Sequence, residues 1–132
     1  MKKNIILSLF ILISTLTFGQ GISKLRAESM AVKFIDDDGS WKEWTDWLES
    51  DVLTVMDFDK QRITLYTEPK EIFDIVGHED ETNDDGDEIM RMFCVDNEGI
   101  DCVLKLIYDS EFNLQLYIEY ENMIVVYNVN TI

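Results

Sequence analysis

The sequence predicts a mostly β fold: one antiparallel meander sheet of seven to eight strands, curled into a barrel or half-barrel. Polarity alternates with a period of two through short runs from Ala27 onward, as in strands with one buried face. Asp, Asn, Glu and Gly separate these runs. The links are too short for crossover helices, so consecutive strands should pair as hairpins. A sheet of this size is expected to curl or close, because closure protects its edges.

The clearest hairpin surrounds residues 93–102, FCVDNEGIDC. A three-residue loop over residues 97–99 would place Gly99 in the left-handed conformation that closes a type I turn with a bulge. In that register Cys94 lies directly opposite Cys102. Turn chemistry and hydrophobic phase agree, because the same register puts four further apolar residues on one face: Met90, Met92, Leu104 and Leu106.

A second hairpin is predicted from the alternation in residues 112–119 and 123–129. A two-residue turn at Glu121 and Asn122 would pair Ile118 with Val125. Further strands are predicted over residues 27–35, 52–56, 62–67 and 72–76.

One segment, SWKEWTDWLES, departs from the alternation. Trp41, Trp44 and Trp47 recur at helical spacing, and Ser40 and Glu43 have the arrangement of a capping box. The pattern predicts a short helix over residues 41–49, packed against the sheet. The alternative is an additional strand, since tryptophan also favours strands.

Residues 1–19 have the features of a secretory signal peptide. Lys2 and Lys3 precede an uncharged apolar run, and Thr17 to Gly19 resembles a cleavage site with small residues. The run is shorter than the roughly 20 residues of a spanning helix. We therefore expect one secreted or periplasmic β domain over residues 20–132, soluble after cleavage and without a membrane span.

Composition restricts the partners of this domain. The full chain has a formal net charge of −16, and the predicted leader contributes two lysines and no acid, so the domain is strongly acidic, repels phosphate and is not expected to bind nucleic acid. The same charge would attract a basic protein or simply maintain solubility. A hydrophobic content of 46% is too high for a disordered acidic segment.

The two cysteines are predicted to form a disulfide. A structural zinc site needs about four ligands, whereas the chain offers Cys94, Cys102 and a single histidine, His78. The CxxC spacing of a redox motif is absent. Direct opposition on neighbouring strands and an oxidising destination favour a disulfide. The alternative is a pair of buried free thiols.

The most acidic segment, residues 78–88, resembles an EF-hand calcium loop only in part. With Gly86 at the sixth position of an EF-hand loop, the twelfth position falls on Met92, so the bidentate acid is missing. The segment is predicted to be a solvated loop between strands. The alternative is a weak calcium site formed by Asp84, Asp85 and Asp87. No cofactor is predicted.

Catalytic motifs are absent from the sequence, so the protein is not predicted to be an enzyme. It contains neither G-x-S-x-G nor H-E-x-x-H, and His78 lies in the acidic segment. The predicted function is non-catalytic binding of a small apolar or sugar ligand in a barrel mouth. The alternative is an acidic module, of inhibitor or immunity type, that captures a basic partner protein. The predicted ligand cavity is lined by Trp41, Trp44, Met90, Met92 and Leu104.

Overall fold

Eight antiparallel strands form a closed barrel in the computed structural model, which describes residues 21–109, 111 and 113–132. In chain order the strands are β1 (Ile22–Phe34), β2 (Leu48–Asp57), β3 (Arg62–Leu65), β4 (Glu71–Thr82), β5 (Glu88–Asp96), β6 (Asp101–Tyr108), β7 (Leu114–Glu119) and β8 (Met123–Thr131). Each strand pairs with its neighbours in sequence, and β8 pairs with β1. The predicted antiparallel meander is confirmed, and it closes fully. The predicted signal peptide, residues 1–19, lies outside the described residues.

The cysteine hairpin has the predicted register. Gly99 has a φ of 82°, and the Asp96 N–H donates to the Ile100 carbonyl at 2.9 Å, which closes the loop. Cys94 lies opposite Cys102, and the flanking apolar pairs follow in step. The β7–β8 hairpin is also as predicted, with Ile118 opposite Val125.

Side chains from all the strands fill the centre of the barrel. Met56, Ile63, Phe73, Leu104 and Leu116 have no exposed surface. An eight-stranded barrel has an interior just wide enough for side chains to fill. Burying each side chain of this size contributes about 1.5–3 kcal/mol, so the filled centre is a main source of stability.

The prediction of a helix over residues 41–49 is wrong, because the structure has no helix there. The segment runs along β1, where the Lys42 N–H donates to the Phe34 carbonyl at 2.8 Å and the Thr45 N–H donates to the Val32 carbonyl at 2.8 Å. The Val32 N–H returns a bond of 2.9 Å to the Thr45 hydroxyl. The backbone groups that a helix would pair internally thus bond to a neighbouring strand, and β2 begins at Leu48.

The acidic segment is mostly strand, where a loop was predicted. Strand β4 continues to Thr82, so only residues 83–87 form the connection to β5. Arg91 on β5 makes ion pairs with both Glu79 and Glu81, which offsets the repulsion between these acids. No helix in the described part of the chain has the length and apolar character needed to cross a membrane.

Candidate ligand-binding site

A cavity of about 520 Å³ opens at one end of the barrel, which we call the mouth. The up-and-down topology brings four links to this end: residues 35–47, 66–70, 97–100 and 120–122. Phe73, Ile118 and Tyr127 line the cavity and are themselves buried, so they separate it from the filled centre.

An apolar wall of the mouth comes from β1 and β8. Val32 pairs with Val125 and Phe34 with Met123, so neighbouring side chains on one face meet across the two strands. A bulge between Ala27 and Ser29 precedes these positions. Before the bulge the inward, buried residues are Ser23, Leu25 and Ala27; after it, the residues that line the cavity are Met30, Val32 and Phe34.

That bulge changes which residues of β1 face inward. Because side chains alternate along a strand, one extra residue moves the inward phase by one position. Without it, Ala31 and Lys33 would occupy the inward positions at the mouth. The bulge therefore makes this wall apolar.

Asp96 carries a fixed negative charge at the end of β5. Its Oδ1 accepts hydrogen bonds from the backbone N–H groups of Glu98 and Ile100, both at 2.9 Å. Its Oδ2 accepts a bond of 2.9 Å from the Tyr120 hydroxyl. Burial alone would raise the pKa of Asp96, but the bonds from Ile100, Tyr120 and Glu98 stabilise the charged form and lower it. Asp96 is therefore ionised at neutral pH.

Glu71 supplies a second carboxylate to the mouth, from the first position of β4. It lies two residues before Phe73 and so shares that residue's inward phase. Burial raises the pKa of Glu71, and the negative charge of Asp96 raises it further. Within the described residues, neither carboxylate lies within ion-pair distance of a lysine or arginine.

Two tyrosines complete the polar side of the mouth. Burial, assisted by the charge of Glu71, raises the pKa of Tyr127 to about 12. Burial and the bond to Asp96 also raise the pKa of Tyr120. Both phenols are therefore neutral at physiological pH. Their rings add aromatic surface beside the carboxylates.

The structure does not bring the five sequence-predicted ligand residues together around one cavity. Trp41 and Trp44 are each 40% exposed, and Trp44 packs edge-on against Tyr117 on β7, with 6.3 Å between ring centroids. Met92 and Leu104 lie in the filled centre, almost without exposed surface. The tryptophans therefore lie on the outer wall of the barrel, whereas the predicted cavity would have needed their side chains in the interior.

Met90 and Met92 do border a smaller cavity, of about 180 Å³. This cavity lies beside the bulge in β4 between Ile75 and Gly77, and His78 also lines it. Its lining includes neither tryptophan of the predicted set.

Cys94 and Cys102 are buried free thiols in the structure, so the predicted disulfide is not seen. The register that the bond requires is present, since the two residues face each other. Burial raises the pKa of Cys94 to about 12 and that of Cys102 to about 11. Both thiols are therefore protonated and weakly nucleophilic at neutral pH.

The residues of the weak calcium candidate form a turn that is held by hydrogen bonds to the side chain of Asn83. Asn83 Oδ1 accepts from the backbone N–H groups of Asp85 and Asp87, both at 3.0 Å. Within the described ranges, no group of three or more His, Cys, Asp or Glu residues is placed to hold a metal ion. Asp84, Asp85 and Asp87 are thus not assembled into a site.

The sequence analysis did not identify the polar residues of the mouth, although three of them follow the inward phase of their strands. Glu71 shares the phase of Phe73, and Tyr120 continues the phase of Ile118. Asp96 shares the phase of Met92 and Cys94, although it also begins a turn. Comparison of the chain with protein-family models, with the curated proteins and with the solved structures finds no match.

Proposed function

We propose that this protein is a non-catalytic binding protein that holds a small ligand with an apolar body in the barrel mouth. The supporting observation is the cavity of about 520 Å³ above a filled centre. Small-molecule sites typically occupy about 300–1,000 Å³ and combine apolar walls with a few polar groups. The mouth has this composition, with Val32, Phe34 and Val125 on one side and Glu71 and Asp96 on the other.

The arrangement of acid and base groups supports a non-catalytic role. His78, the single histidine of the chain, borders the smaller cavity and not the mouth. Asp96 already accepts three hydrogen bonds, and the raised pKa of Tyr120 makes its phenol a weak acid. Burial raises the pKa of Glu71, but the described lining of the mouth offers it no histidine, serine, cysteine or lysine as a catalytic partner.

We further propose secretion or periplasmic localisation with a Cys94–Cys102 disulfide. The leader sequence supports the localisation. Since the hydrogen bond from Asp96 to Ile100 marks a bonded pair, Cys94 and Cys102 form the next bonded pair along the hairpin. Such pairs have Cα atoms about 5.5 Å apart, within the usual range for a disulfide.

The alternative, an acidic module that captures a basic protein, gains no support from the distribution of carboxylates. Acidic residues occur at the mouth, in residues 36–38 and 96–98, and also at the opposite end, in residues 84–88. They do not form one acidic face. The mouth cavity therefore remains the better-supported binding surface.

The proposal can be tested by titrating the purified protein with N-phenylnaphthylamine, a neutral apolar fluorophore. Val125→Trp should fill the mouth, whereas Val103→Trp adds the same bulk to the outer face of β6. We expect wild type and Val103→Trp to bind the fluorophore and Val125→Trp to bind it at least about tenfold more weakly. Equal binding of the fluorophore by both variants would contradict the proposal.

A further inference from the structure

We propose that the ligand of the mouth is an organic cation: an ammonium group on an apolar body, with the charge placed beside Glu71 and Asp96. This inference rests on the proposed function, because it names the ligand class for the same cavity. It follows from the charge, solvation and aromatic character of the lining.

The charged residues that line the mouth are all acidic. Its lining contains three acidic residues and no lysine or arginine among the described residues: Glu71, Asp96 and Glu98 are the acids. Lys42 pairs with Asp36 in the link 35–47 at this end of the barrel but does not line the cavity. Other ion pairs of the described chain lie away from the mouth, as in Arg62 with Asp74. A positive ligand group would thus meet uncompensated negative charge.

Asp96 and Glu71 contribute to this charge in different ways. Asp96 is held ionised by the turn N–H groups and Tyr120, so its charge is present before any ligand arrives. Glu71 is partly desolvated and close enough to Asp96 to be affected by its charge. A cation between them would offset both the desolvation of Glu71 and the repulsion between the two acids.

The rest of the lining favours an organic cation over a metal ion. Hard metal ions need about six oxygen ligands, whereas much of the cavity wall is hydrocarbon from β1 and β8. An apolar ligand body gains free energy by covering that wall. An anion would be repelled by the carboxylates, and a neutral ligand would leave their charges without a partner.

Aromatic rings add a second attraction for an ammonium group. Phe34, Phe73, Tyr120 and Tyr127 all contribute to the cavity lining. Ring faces attract cations, by about 0.5–2 kcal/mol per contact according to how far the charge is desolvated. The mouth therefore combines carboxylates and aromatic rings, which are the groups that recognise organic ammonium ions.

Three ligands with the same phenylethyl body would isolate the effect of charge: phenethylamine, phenethyl alcohol and hydrocinnamate. Their dissociation constants would be measured by calorimetry at neutral pH and low salt with the purified protein. We expect phenethylamine to bind at least about tenfold more tightly than the alcohol, because charge-assisted hydrogen bonds are stronger than neutral ones. Hydrocinnamate should bind most weakly.

Two charge-matched variants would place the effect in the mouth. Glu71→Gln removes a carboxylate from the cavity, and Glu28→Gln removes one from the exposed outer face of β1. Glu71→Gln should lose most of the preference for the amine while keeping its affinity for the alcohol. Glu28→Gln should keep both, since its effect on the overall charge is the same.

The outcomes separate the two proposals. Equal binding of amine and alcohol by wild type would overturn the cationic inference and leave the mouth as a general apolar site. An amine preference in Glu71→Gln as large as in wild type would also overturn it, because Glu71 would then contribute nothing to recognition of the charge. Failure of all three ligands and of the neutral fluorophore to bind would overturn the proposed function itself.

Discussion

The centre and the mouth of the barrel use the same strands and the same alternation, yet only the centre is filled. Leu104 and Leu116 have no exposed surface at the centre, whereas Val32 and Val125 at the mouth are half-buried and line a cavity. Strand length explains part of the difference. β1 has 13 residues and β3 only 4, so fewer strands supply side chains at the ends than at the centre. A filled barrel can therefore keep a ligand-sized cavity.

The two regions also differ in whether their polar side chains have hydrogen-bond partners. At the mouth, Asp96 has three hydrogen-bond partners. At the centre, the hydroxyl of Thr54 is fully buried and has none in the described structure. Asp96 is thus stabilised where a ligand would meet it, whereas the unpaired hydroxyl of Thr54 at the centre costs stability.

Removing side-chain volume should cost much more stability at the centre than at the mouth. Leu104→Ala should lower the free energy of unfolding by about 2–5 kcal/mol, because it opens a cavity in a packed interior. Val125→Ala should cost about 1 kcal/mol or less, since its side chain already borders a cavity. Urea denaturation followed by circular dichroism measures both. Similar losses would mean that the mouth is packed like the centre.

Removing polar support at the mouth should have the next largest effect. Asp96→Ala leaves the N–H groups of Glu98 and Ile100 and the hydroxyl of Tyr120 without their acceptor, at a cost of about 1–2 kcal/mol. Because the pKa of Asp96 is lowered on folding, this stabilisation is present above the unfolded pKa and is lost as pH falls through the folded one. Wild type and variant should therefore converge in acid. A constant gap in urea titrations across that range would contradict this account.

Removing the unpaired hydroxyl at the centre should have the opposite sign. Thr54→Val keeps the shape of the side chain and eliminates a buried group without a partner. We expect a gain of about 1 kcal/mol in the free energy of unfolding. Thr64→Val, on β3 and only partly buried, is the matched control and should change stability little. A loss of stability in Thr54→Val would indicate that the hydroxyl has a partner in solution.

Neutralising Glu71 should change the pH dependence of stability. Its pKa is raised above the ordinary value of 4.5 on folding, so the folded state holds a proton that the unfolded state has released. Stability therefore falls as pH rises from that value through the folded pKa. The groups that interact electrostatically with Glu71 are Asp96, Cys102, Tyr120 and Tyr127, of which only Asp96 titrates in acid. Glu71→Gln should lack this decline in urea titrations.

A small effect is also expected outside both regions, at Trp44. It is partly exposed and packs edge-on against Tyr117, a contact worth about 0.5–1.5 kcal/mol. Trp44→Ala should cost about 1 kcal/mol and leave ligand affinity unchanged. Weaker binding of the fluorophore in this variant would show that the tryptophan segment contributes to the site.

The centre could be predicted from the sequence more fully than the mouth. Gly99 fixed one loop, and alternation then set the partners of Met92 and Cys94. Acidic residues concealed the end of β4, because Glu79 and Glu81 are tolerated in a strand only through Arg91 on its neighbour. Such long-range compensation is not visible in local sequence.

The mouth depends on two features that periodicity does not reveal. The bulge near Ala27 changes the inward phase of β1, and β3 ends early at Leu65. The tryptophan spacing was typical of a helix, but the backbone of Thr45 bonds to Val32 on β1. Edge pairing overrode local preference there. The tryptophans predicted to line the cavity therefore lie on the outer wall, and Met92 and Leu104 lie at the centre.

The most direct test of the difference between mouth and centre is a methyl NMR titration of the purified protein with phenethylamine. We expect the chemical shifts of the methyl groups of Val32, Met123 and Val125 to change. Those of Leu104 and Leu116 should remain nearly unchanged. Shifts concentrated at Leu104 and Leu116, or on the outer face at Val76 and Val103, would contradict this expectation.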